Sequence, residues 1–375
     1  MLKIQMVDLK GQYDKIKPLV DKAIQNVIDE SSFIKGTQVQ LFEKNLASYL
    51  NVKHVISCAN GTDALQIAMM ALNLKPGDEV MVPAFTYVAT AEVISLLGLT
   101  PILIDVDNET FCIDTKLIEE KITIYTKAIV PVHLFGQCAN MDEIELLAQK
   151  YNLFIIEDNA QALGSVYTFK NNITKKAGTI GTIGITSFFP SKNLGCFGDG
   201  GALMTNDDNL AKKITMICNH GQSQKYVHDI IGVNSRLDTI QAAILNVKLN
   251  ELSNYEKARN QAADLYDKLL GNNPKIKIPK RSKSSSHVFH QYTIQVNANE
   301  RDTLKSELLK LDIPTMVYYP IALHMQKAFN LEHKIGNFPV SEELCKTVIS
   351  LPIHTEMNKN QIEYIAQSIN TILQE

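Results

Sequence analysis

A chain of 375 residues, 45% of them apolar and 21% charged, can bury a substantial core and is long enough for two domains. Its 37 basic and 40 acidic side chains leave a formal net charge of −3 with no basic run able to track a phosphate backbone, which argues against a nucleic-acid partner. No apolar stretch approaches a membrane span, and the start MLKIQMVDLKGQYDK lacks a signal peptide's apolar core and cleavage site, so the expected compartment is the cytoplasm.

From residue 54 short apolar runs alternate with helical patterns. The predicted strands HVISC, VMVPAF, TPILIDVD, KAIVPVHL and LFIIEDNA are separated by helical TDALQIAMMALNL, TAEVISLLG, a helix from about Asp114, and MDEIELLAQKYN. Strands this continuously apolar belong to a parallel sheet covered by helices on both faces, so the fold class is α/β. GALMTN reads as a further strand, a helix runs from it to NHG, and one long helix is predicted from about Ser235 to Leu270. After a Lys-, Ser- and Pro-rich loop at 271–287, VFHQYTIQV, RDTLKSELLKLD, PTMVYYP and a terminal helix form a smaller α+β unit. The expected domains are 1–250 and 251–375, divided inside the long helix.

Ligands in open α/β sheets sit beyond the carboxyl ends of the strands, so the polar residues that follow each apolar run are the ones to compare. After HVISC comes Ala59-Asn60-Gly61-Thr62-Asp63, a small-residue turn into a helix. It reads either as an ordinary capped turn or as a seat where free N–H groups and a hydroxyl meet a phosphate. After LFIIE comes Asp158, on a strand too apolar for the surface, and its carboxylate needs a cap, an ion pair or a protonated ring nitrogen. Ala160 and Gln161 offer a small surface under a flat ring and an amide at its edge. Lys192 lies in SFFPSKNLGCFGDGG (187–201), between apolar Phe188, Phe189 and Pro190 and the glycines 195, 198, 200 and 201. The glycines follow the lysine, so this is no Walker loop. A solvated loop lysine is the plain reading; a partly desolvated amine there would be a nucleophile toward aldehydes. The six cysteines are scattered, without CxxC or a histidine cluster at metal-ligand spacing, and Cys196 reads as packing. Anion seat, buried aspartate and lysine together match the needs of pyridoxal 5'-phosphate.

ANGTDALQ, PAFTYVATAE, IEDNAQALG, SFFPSKNLGCFGDGGA, NHG and GVNSRLDTIQAA together resemble the sugar-nucleotide aminotransferases of the DegT/DnrJ/EryC1/StrS family over nearly the whole chain. The resemblance implies a fold-type-I pyridoxal phosphate enzyme, with a mostly parallel sheet in the large domain, a smaller C-terminal domain, and a homodimer whose sites lie at the subunit interface. It makes Lys192 the lysine that carries the cofactor, Asp158 the partner of the pyridine nitrogen and Gln161 the contact to the ring hydroxyl. Gly61, Thr62 and Ser187 become phosphate contacts, and Asn234 a phosphate ligand from the neighbouring subunit. Of the ring-stacking candidates Phe85 and Tyr87 it selects Tyr87, with Ala160 on the opposite face. A lysine at 192, where related dehydratases carry histidine, implies transamination, with glutamate as donor and ping-pong kinetics.

The resemblance is to the branch that aminates C3 of UDP-2-acetamido-2-deoxy-3-oxo-glucuronate for surface polysaccharides such as lipopolysaccharide, and it makes Arg236 the partner of the sugar carboxylate. An inter-subunit or helix-start salt bridge is the competing role for Arg236. Where the family has His-Tyr-Pro this chain has Tyr318-Tyr319-Pro320, so Tyr318 and Tyr319 stand as substrate contacts, and His324 either takes over part of the missing histidine's role or is an ordinary surface or cap histidine, the plainer reading. The alternatives are a dTDP-3-keto- or UDP-4-keto-6-deoxyhexose substrate, or a non-catalytic regulatory protein that binds the cofactor.

Overall fold

The computed structural model describes residues 3–329 and 334–374. Two helices, α1 (Leu9–Asp29) and α2 (Thr37–Leu50), precede the alternating region. That region runs β1 (His54–Cys58), α3 (Gly61–Ala71), β2 (Glu79–Pro83), α4 (Ala89–Leu96), β3 (Thr100–Ile104), β4 (Thr126–Ile129), α5 (Met141–Tyr151) and β5 (Phe154–Asp158). A small hairpin, β6 (Val166–Thr168) and β7 (Thr174–Lys176), leads to β8 (Ile183–Ser187), β9 (Gly201–Thr205) and α6 (Asp208–Ile217). The helix expected from about Asp114 is two short 3₁₀ turns, Thr115–Leu117 and Glu119–Lys121. Only Thr115 and Ile118 are buried in that stretch, too little of an apolar face to hold a longer helix.

The central sheet has the order β1-β9-β8-β5-β4-β2-β3. Strand β9 pairs antiparallel with both neighbours and the remaining pairs are parallel, so β9 turns an otherwise parallel sheet into a mostly parallel one. Alternation of side chains divides the core. Val80, Val82, Ile156 and Ile185 meet residues of α3, α4 and α6 on one face. Met81, Ile129 and Ile155 meet α5 and Tyr167 on the other.

A second small hairpin, β10 (Gln222–Gln224) and β11 (Val227–His228), follows, then α7 (Thr239–Leu249) and α8 (Leu252–Leu270). The expected single helix is thus two, parted at Asn250–Glu251. Helix α7 packs on α1 and α2, whereas Ala262, Ala263, Tyr266 and Leu270 of α8 join a separate core. That core is completed by β12 (Tyr292–Gln295), α9 (Ala298–Lys310), β13 (Val348–Leu351) and α11 (Lys359–Gln374), with α10 (Pro339–Thr347) lying between α9 and β13 in the chain.

One stretch of the C-terminal part returns to the large sheet. Val317, Tyr318, Tyr319, Ala322 and Leu344 pack with the core on the α5 side. The Leu323 amide donates to the Ala84 carbonyl at 2.9 Å. The Asp105 carboxylate caps α10, accepting the Val340 and Ser341 amides at 2.9 Å each and the Ser341 hydroxyl at 2.6 Å. This return brings the two tyrosines to the carboxyl end of the sheet.

Candidate active site

Asp158 ends β5 on the same face as Ile156, which points it at α4. There Oδ2 accepts the buried Thr90 hydroxyl at 2.9 Å and Oδ1 the Ala160 amide at 3.2 Å. Burial pushes this carboxyl above the ordinary aspartate range, opposed by those two hydrogen bonds and by the charge of Lys192. The preceding residue, Glu157, faces the other way. It is fully buried and accepts the amides of Gly178, Ile180 and Gly181 and lies 2.9 Å from His133 Nε2. The Ala139 amide donates to His133 Nδ1, so the proton of this ring sits on Nε2 and points at Glu157. These bonds anchor β5 from behind.

Ser187 and Gly201 are paired across β8 and β9, so SFFPSKNLGCFGDGG is the loop joining two adjacent strand ends over the site. It is closed by the Phe188 amide to the Gly200 carbonyl at 2.7 Å and the Cys196 amide to the Phe188 carbonyl at 2.8 Å. Phe188 is fully buried, edge-on to Phe42. A Cβ on Gly195 would lie 2.3 Å from the Pro190 carbonyl oxygen, so only glycine lets the loop fold onto itself there. Glycines 195, 198, 200 and 201 are absent from the cavity lining, so they serve chain-to-chain packing. Cys196 is buried with its thiol pushed up to about 11, which fits packing and not nucleophilic work.

Lys192 is thereby presented to a cavity of about 850 Å³ that Asp158 also lines. Its desolvated surroundings lower the amine to about 8, with the Asp158 charge pulling the other way. The ANGT turn forms another wall. The Asn60 side chain caps α3 by accepting the Asp63 amide at 2.8 Å, and Gly61 and Thr62, whose amides open the helix, line the cavity. A Cβ on Gly61 would meet the Ser187 Cβ at 2.8 Å, so glycine is what lets Ser187 stand beside the turn.

Gln161 Oε1 accepts the Phe135 amide at 2.8 Å and Nε2 donates to the Tyr319 hydroxyl at 3.0 Å, leaving a second amide hydrogen. Tyr87 is exposed at the cavity, 6.3 Å from the Tyr319 ring, whereas Phe85 is buried and touches Tyr319 only edge-on. Ala160 and Tyr318 complete the lining. Helix-opening amides beside Ser187, a buried carboxylate that lines the cavity and a lysine of lowered proton affinity fit pyridoxal phosphate.

Three candidates lie apart from this cavity. Asn234 is exposed on the strand-like stretch that pairs with Asn219. Arg236 lines a different cleft of about 250 Å³, with Lys35, Glu43 and Asn219. His324 is buried against Phe338, its Nε2 3.1 Å from Glu342 Oε1, so this histidine does not replace the one missing at 318. Conversely, Thr90, Phe135 and His290 belong to the site and were not singled out from sequence. Thr90 stands within the quoted PAFTYVATAE, but nothing local ties it to a residue 68 positions away.

Fold and site define a pyridoxal phosphate-dependent aminotransferase with a mostly parallel large-domain sheet. The model of the DegT/DnrJ/EryC1/StrS aminotransferase family matches residues 14–370, and the chain belongs to that family. It is 43% identical to the "Pleiotropic regulatory protein" of Geobacillus stearothermophilus, covering 98% of each chain. It is equally identical, at 43%, to the UDP-2-acetamido-2-deoxy-3-oxo-D-glucuronate aminotransferase of Pseudomonas aeruginosa, over 98% of this chain and 99% of the relative. A UDP-N-acetyl-3-dehydro-alpha-D-glucosamine 3-aminotransferase of Acidithiobacillus ferrooxidans is also 43% identical, over 99% and 98%. Among solved structures, DesV of S. venezuelae in complex with a ketimine intermediate superimposes with a TM-score of 0.96 at 35% identity, covering both chains fully. The Bacillus subtilis protein NtdA with bound cofactor PMP gives 0.90 at 31%, over 100% of this chain and 86% of that one. Among the described residues no helix is long and apolar enough to cross a membrane.

Proposed function

We propose that the protein transfers the amino group of glutamate to the C3 carbonyl of UDP-2-acetamido-2-deoxy-3-oxo-glucuronate, in the cytoplasm, for a bacterial surface polysaccharide such as lipopolysaccharide. The observation that carries the reading is Lys192, its amine lowered to about 8, sharing one cavity with the Thr90-bound carboxylate of Asp158. Bound there, pyridoxal phosphate supplies the electron sink through which nitrogen passes from an amino acid to a carbonyl. The Gly61 and Thr62 amides with Ser187 would hold its phosphate. Asp158 would keep its ring nitrogen protonated, and Gln161 has a spare amide hydrogen to offer its ring oxygen. Ala160 and Tyr87 would supply the apolar surfaces against which the ring packs. Lys192, when free, is close enough to neutrality near pH 8 to take a proton from one carbon and return it to another. Tyr318 and Tyr319 close the side where the sugar enters.

A homodimer is part of the proposal. Among the described residues the cavity of one chain is lined by Asp63, Asp158 and Asp199 with Lys192 as its one ammonium, a poor match for a sugar diphosphate and a carboxylate. Asn234 and Arg236 lie outside that cavity; Ile231, three residues before Asn234 and over 80% exposed, and Ile34, which bridges to Asp238 two residues after Arg236, leave apolar side chains exposed in the same stretch. A second copy covering this patch would bring Asn234 to the phosphate and Arg236 to the sugar carboxylate. A second reading has its own support, because the Acidithiobacillus relative, named for a sugar without that carboxylate, is just as similar.

The test is a panel of keto-sugar nucleotides incubated with glutamate, with 2-oxoglutarate measured. Turnover of the uronic acid above the neutral 3-keto sugar and above 6-deoxy sugars is expected; turnover of a 6-deoxy sugar alone would overturn the substrate. Borohydride reduction followed by peptide mapping tests the lysine independently, with a pyridoxyl group expected on the peptide carrying Lys192.

A further inference from the structure

His133 and Glu157 are fully buried, and neither lines the cavity. Burying an imidazole and a carboxylate costs free energy unless their polar atoms are paired, yet no step proposed above uses either group. Their hydrogen bonds lead in two directions. One leads to Asp158. His133 Nε2 donates at 2.9 Å to Glu157 Oε2, on the residue before Asp158, and the His133 amide donates to the Asp158 carbonyl at 3.0 Å. The Asp158 amide in turn donates to the Pro131 carbonyl at 2.9 Å. One histidine thus grips the end of β5 by side chain and main chain at once. The other direction leads to Gln161. His133 Nδ1 accepts the Ala139 amide at 3.2 Å, which closes the turn of residues 134–138. Inside that turn Phe135 takes a φ of 58°, a left-handed conformation that a bulky residue keeps only where its surroundings impose it. Its amide meets Gln161 Oε1 at 2.8 Å. With Oε1 facing that donor, the NH2 of Gln161 is turned to the Tyr319 hydroxyl and the cavity.

We infer that His133 is a positioning residue for the cofactor ring: its two nitrogens tie Glu157 to the 134–138 turn and so hold Asp158 and Gln161 in their aim. The inference rests on these two side chains being the contacts to the ring. The phosphate seat belongs to other elements, Gly61 and Thr62 to α3 and Ser187 to β8, so ring and phosphate can be tested apart.

The experiment uses the full chain freed of cofactor. Calorimetric titration measures its affinity for pyridoxamine phosphate, which binds without joining Lys192, and for inorganic phosphate, which uses the seat alone. His133→Leu is expected to weaken pyridoxamine phosphate about tenfold and inorganic phosphate less than about twofold. His133→Gln keeps a donor for Glu157 and should lose only about threefold. In a chain already carrying Asp158→Asn and Gln161→Ala, adding His133→Leu should cost less than about twofold more, because the groups it aims are gone. Four outcomes overturn the inference: pyridoxamine phosphate affinity unchanged in both His133 variants, an equal fall for the two ligands, His133→Gln binding no better than His133→Leu, or the full tenfold loss repeated in the Asp158→Asn, Gln161→Ala chain. That last chain also tests the cofactor reading by itself. If it binds pyridoxamine phosphate as tightly as the wild type, the ring contacts are misassigned whatever the His133 variants do.

Discussion

The loop carrying Lys192 and the stretch carrying Asn234 and Arg236 both stand out in the sequence, yet the fold treats them oppositely. In the first, Phe188, Leu194 and Cys196 are buried, and outside groups answer the loop's polar atoms. Lys248 donates to the Gly195 carbonyl at 2.5 Å, and Gln241 bonds both the amide and the carbonyl of Phe197. In the second, Tyr226 and Ile231 are more than four-fifths exposed and Asn234 points outward. A loop made rigid within its own chain can hold a covalent cofactor. A stretch that keeps large apolar side chains in water has its partner elsewhere, and the proposed partner is a second copy.

The largest effect expected falls on the first region. Lys192→Ala should lower transamination by about 10³–10⁴-fold and abolish the borohydride adduct, measured by 2-oxoglutarate release and peptide mapping. Asp158→Asn should cost about a hundredfold in kcat through loss of a charge-assisted hydrogen bond, with the fold kept, as single-turnover kinetics and circular dichroism would report. The second region is tested by complementation. Lys192→Ala and Asn234→Ala proteins, each weak alone, should regain about a quarter of wild-type activity when unfolded and refolded together, because half the dimers then hold one intact site of two. No recovery would place Asn234 outside the neighbour's site.

Smaller still, Arg236→Gln should raise KM for the uronic acid about tenfold and change KM for a neutral 3-keto sugar far less. Equal changes on the two substrates would leave Arg236 an interface residue. The smallest effect concerns Lys248, only 2% exposed, whose amine burial lowers to about 8. An unfolded lysine titrates near 10.5, so above pH 8 the unfolded chain binds the extra proton and stability rises with pH. The thiols, raised in the fold, oppose this above about pH 9, so the rise belongs to the window of about 8–9. Because Lys192, lowered alike in the cofactor-free chain, adds to that rise, Lys248→Met should only lessen it in urea unfolding curves, while a slope equal to the wild type's would assign it to other groups.

The sequence carried the parts of the site that are local. Apolar runs ending in Asp158, the ANGT turn and the proline–lysine–glycine order of the loop each announce themselves within ten residues, because strand burial, helix capping and chain reversal are set by near neighbours. The choice of Tyr87 over Phe85 as a ring contact could come from family likeness alone; both are aromatic on the same short stretch, and only packing buries one and leaves the other at the cavity. The helix expected from Asp114 and the unbroken helix to Leu270 fell short for a related reason. Periodicity cannot tell whether a face has anything to pack against.

What the sequence by itself determined is a helix-covered, parallel α/β sheet and the chemical identity of the groups at its carboxyl end: an amine, a carboxylate and an anion seat. Tertiary structure alone decided which groups orient them. Thr90 on Asp158, Lys248 on the lysine loop and Tyr319 on Gln161 come from chain segments far apart in sequence, brought together by sheet order and by the return of residues 317–322 and 340–345 to the large core. The same packing turned His324 into Glu342 and left Arg236 facing outward from its own cavity. Reactive groups can be read from residue type and local burial, but the hydrogen bonds that set their protonation and aim depend on contacts between distant segments.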